Sequence, residues 1–143
     1  MDEVTKTAGI LFFREDEVLL VYHKEKAKHQ TGVYGIPAGR LEPGENEIEA
    51  AIRETEQETT LNVGMENLIP LPIIYAAKIQ RKKELPRIFS LKVFLCKKFK
   101  GEPNETEENS PKWIKISELH KYNLLPNVEK IINDGLLILK QEK

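Results

Sequence analysis

The chain has 143 residues, with 22 Lys and Arg against 23 Asp and Glu, 40% hydrophobic residues and a single cysteine. That length suits one domain around one core, so a single domain over residues 1–143 is expected. The near-zero net charge gives no general attraction to polymeric nucleic acid or an anionic membrane surface. Cys96 has no partner for an internal disulfide, no basic-then-apolar leader opens the sequence, and apolar runs such as Val18 to Tyr22 fall far short of the roughly 20 residues that span a bilayer. These features predict a reducing, cytoplasmic setting with no membrane partner.

In chain order, Thr7 to Phe13 and Val18 to His23 are β-prone runs around the polar turn Arg14-Glu15-Asp16-Glu17, which predicts a hairpin. Lys24 to Tyr34 is charged and turn-rich, and Gly35-Ile36-Pro37-Ala38-Gly39 tightens the chain before an acidic stretch. Ile48, Ala51, Ile52 and Thr55 follow the i, i+3, i+4, i+7 template, predicting a helix over about 46–59 with that stripe buried. The runs Ile69 to Ile79 and Arg87 to Lys97, broken by Arg81-Lys82-Lys83-Glu84, predict an antiparallel pair in which Phe89, Leu91, Val93 and Leu95 share a face. After a polar loop over 99–111, Trp113 to Ile116 reads as a short strand and Ser117 as the cap of a helical turn. Asn127 suits the N-cap of an amphipathic helix through about Leu139. The order predicts a mixed sheet with helices packed on its faces.

The chemistry concentrates between Gly39 and Leu61. On the predicted helix Glu54, Gln57 and Glu58 fall to one side, next to the apolar stripe. Crowded carboxylates repel one another unless a cation offsets the repulsion, and Mg²⁺, which prefers carboxylate and water oxygens and bridges them to phosphates, is suited to that role. The preceding loop, with Pro37, Gly39, Pro43 and Gly44, runs into a helix N-terminus, where phosphate oxygens are readily received. A solvated acidic helix face is the alternative for such a charge run.

The segment Gly39 to Leu61 resembles the Nudix box, G-x5-E-x7-R-E-U-x-E-E-x-G-U with U a bulky aliphatic residue. Gly39, Glu45, Arg53, Glu54, Glu58 and Leu61 match, while Thr55, Gln57 and Thr60 depart from it. Tyr34-Gly35-Ile36-Pro37-Ala38-Gly39 is similar to the W-G-x-P-G-G lead-in of MutT-like enzymes, and Pro37-Ala38-Gly39 also to the P-A-G of ADP-ribose pyrophosphatases. Gly101-Glu102-Pro103, Glu107 and Trp113 echo a MutT spacing in which the loop glutamate helps to bind metal.

The resemblance implies a Nudix-type α/β/α sandwich with a mixed central β-sheet. It also implies metal-dependent hydrolysis of a nucleoside diphosphate linked to another moiety, with Mg²⁺ as cofactor and Mn²⁺ able to substitute. By the same resemblance Glu54 is a metal ligand or general base, Glu58 a metal ligand, and the Ala38 carbonyl a backbone ligand. Gln57 stands at a ligand position with only a neutral carbonyl oxygen to offer, which predicts weaker metal binding. Arg53 orients a box carboxylate, Glu45 holds the loop to the helix, and Glu107 is the ligand from outside the box, with Glu108 its close rival. Gly39, Arg40, Lys24 and Asn127 are the candidate substrate contacts, Asn127 lying near an asparagine that reads a purine base in MutT-like enzymes.

Thr60 replaces a glycine that takes positive φ at the helix end, so Asn62 or Gly64 is expected to take over that turn. His23 and His120 have no ligand-spaced partners and are expected at the surface or at helix ends, whereas Trp113 and Cys96 are expected in the core. Neither the proline of ADP-ribose pyrophosphatases nor the tyrosine of diadenosine-polyphosphate hydrolases stands at its place past the box. Nucleoside triphosphates, oxidised ones included, are the expected substrates, with ADP-ribose and nucleotide sugars next and a non-hydrolytic nucleotide-binding domain as the rival class. A monomer or homodimer is expected.

Overall fold

Alternation along β1, Val4–Leu11, sets the layers. Ala8 and Ile10, continued by Phe12, pack with Ala50 and Ala51 of helix α1, Glu47–Thr59, while Leu11 joins Val128, Ile131 and Ile132 of helix α2, Val128–Gln141. Successive strand residues point to opposite faces, so one run of apolar residues serves two cores. The computed structural model describes residues 4–24, 32–79 and 85–141. Most of the charged stretch after Lys24, residues 25–31, and the turn Arg81 to Glu84 lie outside the described residues.

A four-stranded mixed sheet has the order β5-β1-β7-β6, with β5 spanning Ala38–Arg40, β6 Leu68–Ile79 and β7 Arg87–Cys96. Only β1 and β7 run parallel in it. The second sheet is antiparallel and centres on β3, Glu17–His23. Short strands β2, Phe13–Arg14, and β4, Tyr34–Gly35, pair with one side of β3 and β8, Asn109–Lys115, with the other.

The expected N-terminal hairpin is therefore smaller than its apolar runs suggest. Phe13 and Arg14 pair with Val18 and Glu17, whereas Thr7 to Leu11 belong to the other sheet, alongside β7 and β5. The chain changes sheets at Phe12, which is fully buried. The expected pair formed by β6 and β7 is present, and Trp113 lies within β8. A 3₁₀ turn over Ile116–Lys121 is preceded by Lys115 with no side-chain cap, so Ser117 does not cap it.

Candidate functional site

Helix α1 begins where its sequence asks it to. Asn46 accepts from the Glu49 amide at 2.9 Å while the Glu49 carboxylate accepts from the Asn46 amide at 2.9 Å, a reciprocal capping box. Arg53 then reaches back to the preceding loop. Its Nε donates to Glu45 Oε2 at 2.7 Å and its Nη2 to Glu45 Oε1 at 2.9 Å and to the Arg40 carbonyl at 2.8 Å. This bidentate pair holds the Glu45 carboxyl below its usual range and fixes the 41–46 loop against the helix. The Gln57 carbonyl accepts from Arg53 at 3.4 Å, with its side chain at the exposed edge of the cluster.

Glu54 and Glu58 lie one helical turn apart, facing β5. A Cβ built on Gly39 would overlap the Glu54 carboxylate, so this glycine gives the carboxylate its place against the strand. Glu58 is 7% exposed and accepts from the Ala38 amide at 2.9 Å. Burial raises the Glu54 pKa, and burial together with the charges of Glu54 and Glu108 raises that of Glu58 well above the ordinary value. Partly dehydrated carboxylates that repel one another form a donor set fitted to a hard divalent cation. Among the described residues no three His, Cys, Asp or Glu side chains gather as a ready metal cluster. A cation here would keep several waters, as Mg²⁺ does where one or two carboxylates hold it.

The loop before β8 separates the two rival glutamates. The Thr106 amide donates to the Asn109 carbonyl at 2.9 Å and the Asn109 amide to Thr106 Oγ1 at 3.1 Å, closing a turn in which Glu107 is exposed and Glu108 half-buried. The charge of Glu108 adds to the rise of the Glu58 pKa. Lys24 is committed to this loop, with its ammonium donating to the Thr106 carbonyl at 2.8 Å and pairing with Glu105 at 3.1 Å. Thr60 itself takes the left-handed turn, with φ of 67°, whereas Gly64 has φ of −87°, so neither Asn62 nor Gly64 replaces it as the helix-ending residue.

Beside the carboxylates, a cavity of about 110 Å³ opens between the mixed sheet and the start of α2, on the order of the space that takes up a benzene ring. Its walls include Phe89, Leu91, Tyr75, Leu125 and Ile131, and Ala38, Gly39 and Arg40 form the edge shared with the carboxylate side. The Arg40 guanidinium lies 5.6 Å from the Phe89 ring centre, and its Nε and Nη2 are buried without a hydrogen-bond partner. Asn127 immediately precedes α2, but its φ of 72° is left-handed rather than the extended backbone of an N-cap. Its amide nitrogen donates to the Ala76 carbonyl at 3.1 Å across the cavity wall.

His23, expected at the surface or a helix end, is 6% exposed and lines the cavity, while His120 is exposed. Trp113 stacks with Phe99 at 5.8 Å and carries Arg14 over its ring at 4.3 Å, away from the cavity walls. The apolar walls were legible only as core. Period identifies a buried face, but not whether a helix fills the space above it.

A family model described as NUDIX domain matches residues 4–134. The chain is 28% identical over 115 residues to Nudix hydrolase 6 of Arabidopsis thaliana, covering 78% of this chain and 38% of that protein. It is 38% identical over 61 residues to 8-oxo-dGDP phosphatase NUDT18 of Homo sapiens, covering 43% of this chain and 18% of that protein. The chain thus spans well under half the length of these curated relatives. The fold is shared with the MutT NUDIX hydrolase from Burkholderia pseudomallei, with a TM-score of 0.76 at 20% identity over 93% of this chain and 98% of that one. The box keeps its loop, arginine and paired glutamates in one cluster, and the family match runs from the first strand into the last helix: the chain belongs to the Nudix family.

Proposed function

We propose that this chain is a metal-dependent pyrophosphohydrolase that takes a nucleoside triphosphate to the monophosphate and pyrophosphate. The observation that carries the reading is the double use of β5. Glu54 lies over Gly39 and Glu58 is bonded to Ala38, while the same residues and Arg40 edge the apolar cavity. A nucleotide with its base in the cavity would lay its phosphates across β5 toward the carboxylates. The human relative is named an 8-oxo-dGDP phosphatase, an activity of the same broad class of nucleotide chemistry, which brings oxidised purines into the substrate set.

Water adds to a phosphorus, the bridging P–O bond breaks, and pyrophosphate leaves with the bond's electron pair. A bound divalent cation, Mg²⁺ or Mn²⁺, would supply charge neutralisation and a more acidic water. Glu54 and Glu58 would hold it, with the Ala38 carbonyl beside them and waters in its other positions, and Glu107 or Glu108 is the candidate for a further ligand from the loop. Glu54 is the proposed acceptor of the water's proton, and Glu45 and Arg53 keep the loop and helix in register for that transfer. Arg40, with unpartnered nitrogens at the cavity, and Asn127 are the proposed nucleotide contacts. Gln57 sits at the exposed margin, so its neutral oxygen costs the inner pair little. The chain itself is read as a cytoplasmic, monomeric or homodimeric enzyme.

The test is pyrophosphate and phosphate release from nucleoside triphosphates, 8-oxo-dGTP, ADP-ribose and nucleotide sugars, with Mg²⁺, with Mn²⁺ and with chelator. Metal-dependent turnover of triphosphates, lowered by about 100-fold or more in Glu54→Gln, is expected. Unchanged turnover in that variant overturns the site, and preferred turnover of ADP-ribose or a sugar nucleotide overturns the substrate. Nucleotide binding with no turnover on the panel would place the chain among non-hydrolytic binders.

A further inference from the structure

Strand β5 divides its residues between two faces. The side of Gly39 is taken by the Glu54 carboxylate, which a Cβ on that glycine would overlap. By strand alternation its neighbours Ala38 and Arg40 turn to the other face, where both line the apolar cavity. The pairing with β1 agrees: Ala8, opposite Gly39, packs with Ala50 and Ala51 of α1, while Thr7, opposite Arg40, lines the cavity. The Arg40 backbone is tied to the box, since its carbonyl accepts from Arg53 Nη2 at 2.8 Å. Its side chain crosses to the cavity.

There the guanidinium stands 5.6 Å from the Phe89 ring centre, and among the described residues no hydrogen bond reaches its buried Nε and Nη2. These two nitrogens form the side-on edge of a guanidinium, the same edge with which Arg53 grips both oxygens of Glu45. An arginine stays charged and can only donate, so this fork calls for two acceptors side by side. On a nucleobase the matching pair is O6 and N7 of a 6-oxopurine. Adenine puts an amino group in place of O6, pyrimidines have no acceptor beside O4, and an 8-oxopurine carries a hydrogen on N7 that would meet the fork donor to donor.

We infer, on the footing of the nucleotide reading proposed above, that Arg40 determines base specificity by gripping O6 and N7 of an undamaged 6-oxopurine in the cavity, rather than a phosphate. Inosine and guanosine nucleotides are then preferred over those of adenine, the pyrimidines and 8-oxopurines.

The experiment has two arms, each on wild type, Arg40→Met and Arg40→Lys. Chemical-shift titration with inosine and with adenosine, without metal, reads the base free of any phosphate. In the second arm, kcat/KM with Mg²⁺ is measured for GTP, ATP, 8-oxo-GTP and 7-deaza-GTP, in which carbon replaces N7. Wild type is expected to prefer inosine to adenosine, and GTP to each of the other three, by about 5-fold to 150-fold, the range that one bidentate contact spans. Arg40→Met should abolish these preferences, and Arg40→Lys, which keeps the charge without the fork, should not restore the preference for GTP over 7-deaza-GTP. Equal binding of the two nucleosides by wild type overturns the inference, as does preferred turnover of 8-oxo-GTP. A uniform loss of kcat/KM across all bases in Arg40→Met, with the inosine preference intact, makes Arg40 a phosphate contact and overturns it too. The 7-deaza comparison in wild type decides the fork even where a substitution unfolds the chain. If no triphosphate turns over, the hydrolytic reading fails and the nucleoside titrations alone decide the role of Arg40.

Discussion

His23 ends β3 with its ring 6% exposed, and burial holds its pKa down to about 4 from 6.5. The unfolded chain therefore binds more protons than the folded one between those values, and stability rises with pH across that window. The contribution of His23 is fully present above about pH 6.5 and is lost as pH falls through 4, a change of about 3 kcal/mol at most. Denaturant melts between pH 7 and 4.5 should therefore show a shallower loss of stability in His23→Gln than in wild type; equal slopes would show that this ring does not carry the effect. Strand alternation puts His23 on the face of Leu19 and Val21, but that it lines a cavity shared with Tyr75, Phe89 and Ile131 depends on residues far away in the sequence. Glu45 and Arg53 are the opposite case. Their spacing is part of the box, and they meet in a bidentate pair.

Helix α1 was legible in extent, because the breakers Pro43 and Gly44 and a 3.6-residue period are local signals. Its rotation was legible only in part. Ala50, Ala51, Thr55, Glu58 and Thr59 are the buried residues, with Ile48 and Ile52 half-buried at the flank, so the inner face is centred on small side chains. Small residues let the helix approach β5 closely enough for Glu54 to lie on Gly39, a requirement that hydrophobic period does not encode. Thr55 follows from the same geometry. It occupies an aliphatic position of the box, is fully buried, and its Oγ1 has no hydrogen-bond partner. Leaving such a hydroxyl unsatisfied costs about 1–3 kcal/mol. Thr55→Val keeps the shape and removes that cost, so a melt should show stability raised by about 1 kcal/mol or more with hydrolysis unaltered; a destabilised variant would reveal a partner for the hydroxyl in solution.

At the scale of the molecule, the carboxylates of α1 lie against one face of β5, while much of the cavity wall comes from α2, β6 and β7 on the other. The order of elements made two covered faces legible, but it left open where the chain passes between sheets and how near α2 lies to that passage. Polar links tie α2 and the residue before it to β6: Tyr75 Oη donates to Asp134 at 2.6 Å, Lys130 lies over the Tyr75 ring at 5.8 Å, and Asn127 reaches the Ala76 carbonyl. Farther along, Gly135 is buried where a Cβ would overlap the Leu11 side chain and stand 3.2 Å from the Phe13 ring, at the point where the chain changes sheets. Gly135→Ala sets two effects against each other. Alanine gains about 1 kcal/mol in helix propensity, but overpacking a filled core costs about 1–3 kcal/mol, and Leu11, fully buried, has little room to yield. A net loss of stability is expected, with α2 levered off the sheet and Val128 and Ile131 displaced at the cavity wall. Because Glu54 and Glu58 sit on the opposite helix, the proposed hydrolysis should respond through KM for the nucleotide, with kcat and Mn²⁺ affinity near wild type. Steady-state kinetics with parallel Mn²⁺ titration checks the separation, and a fall in kcat at unchanged KM would show that α2 and the carboxylate side act as one unit.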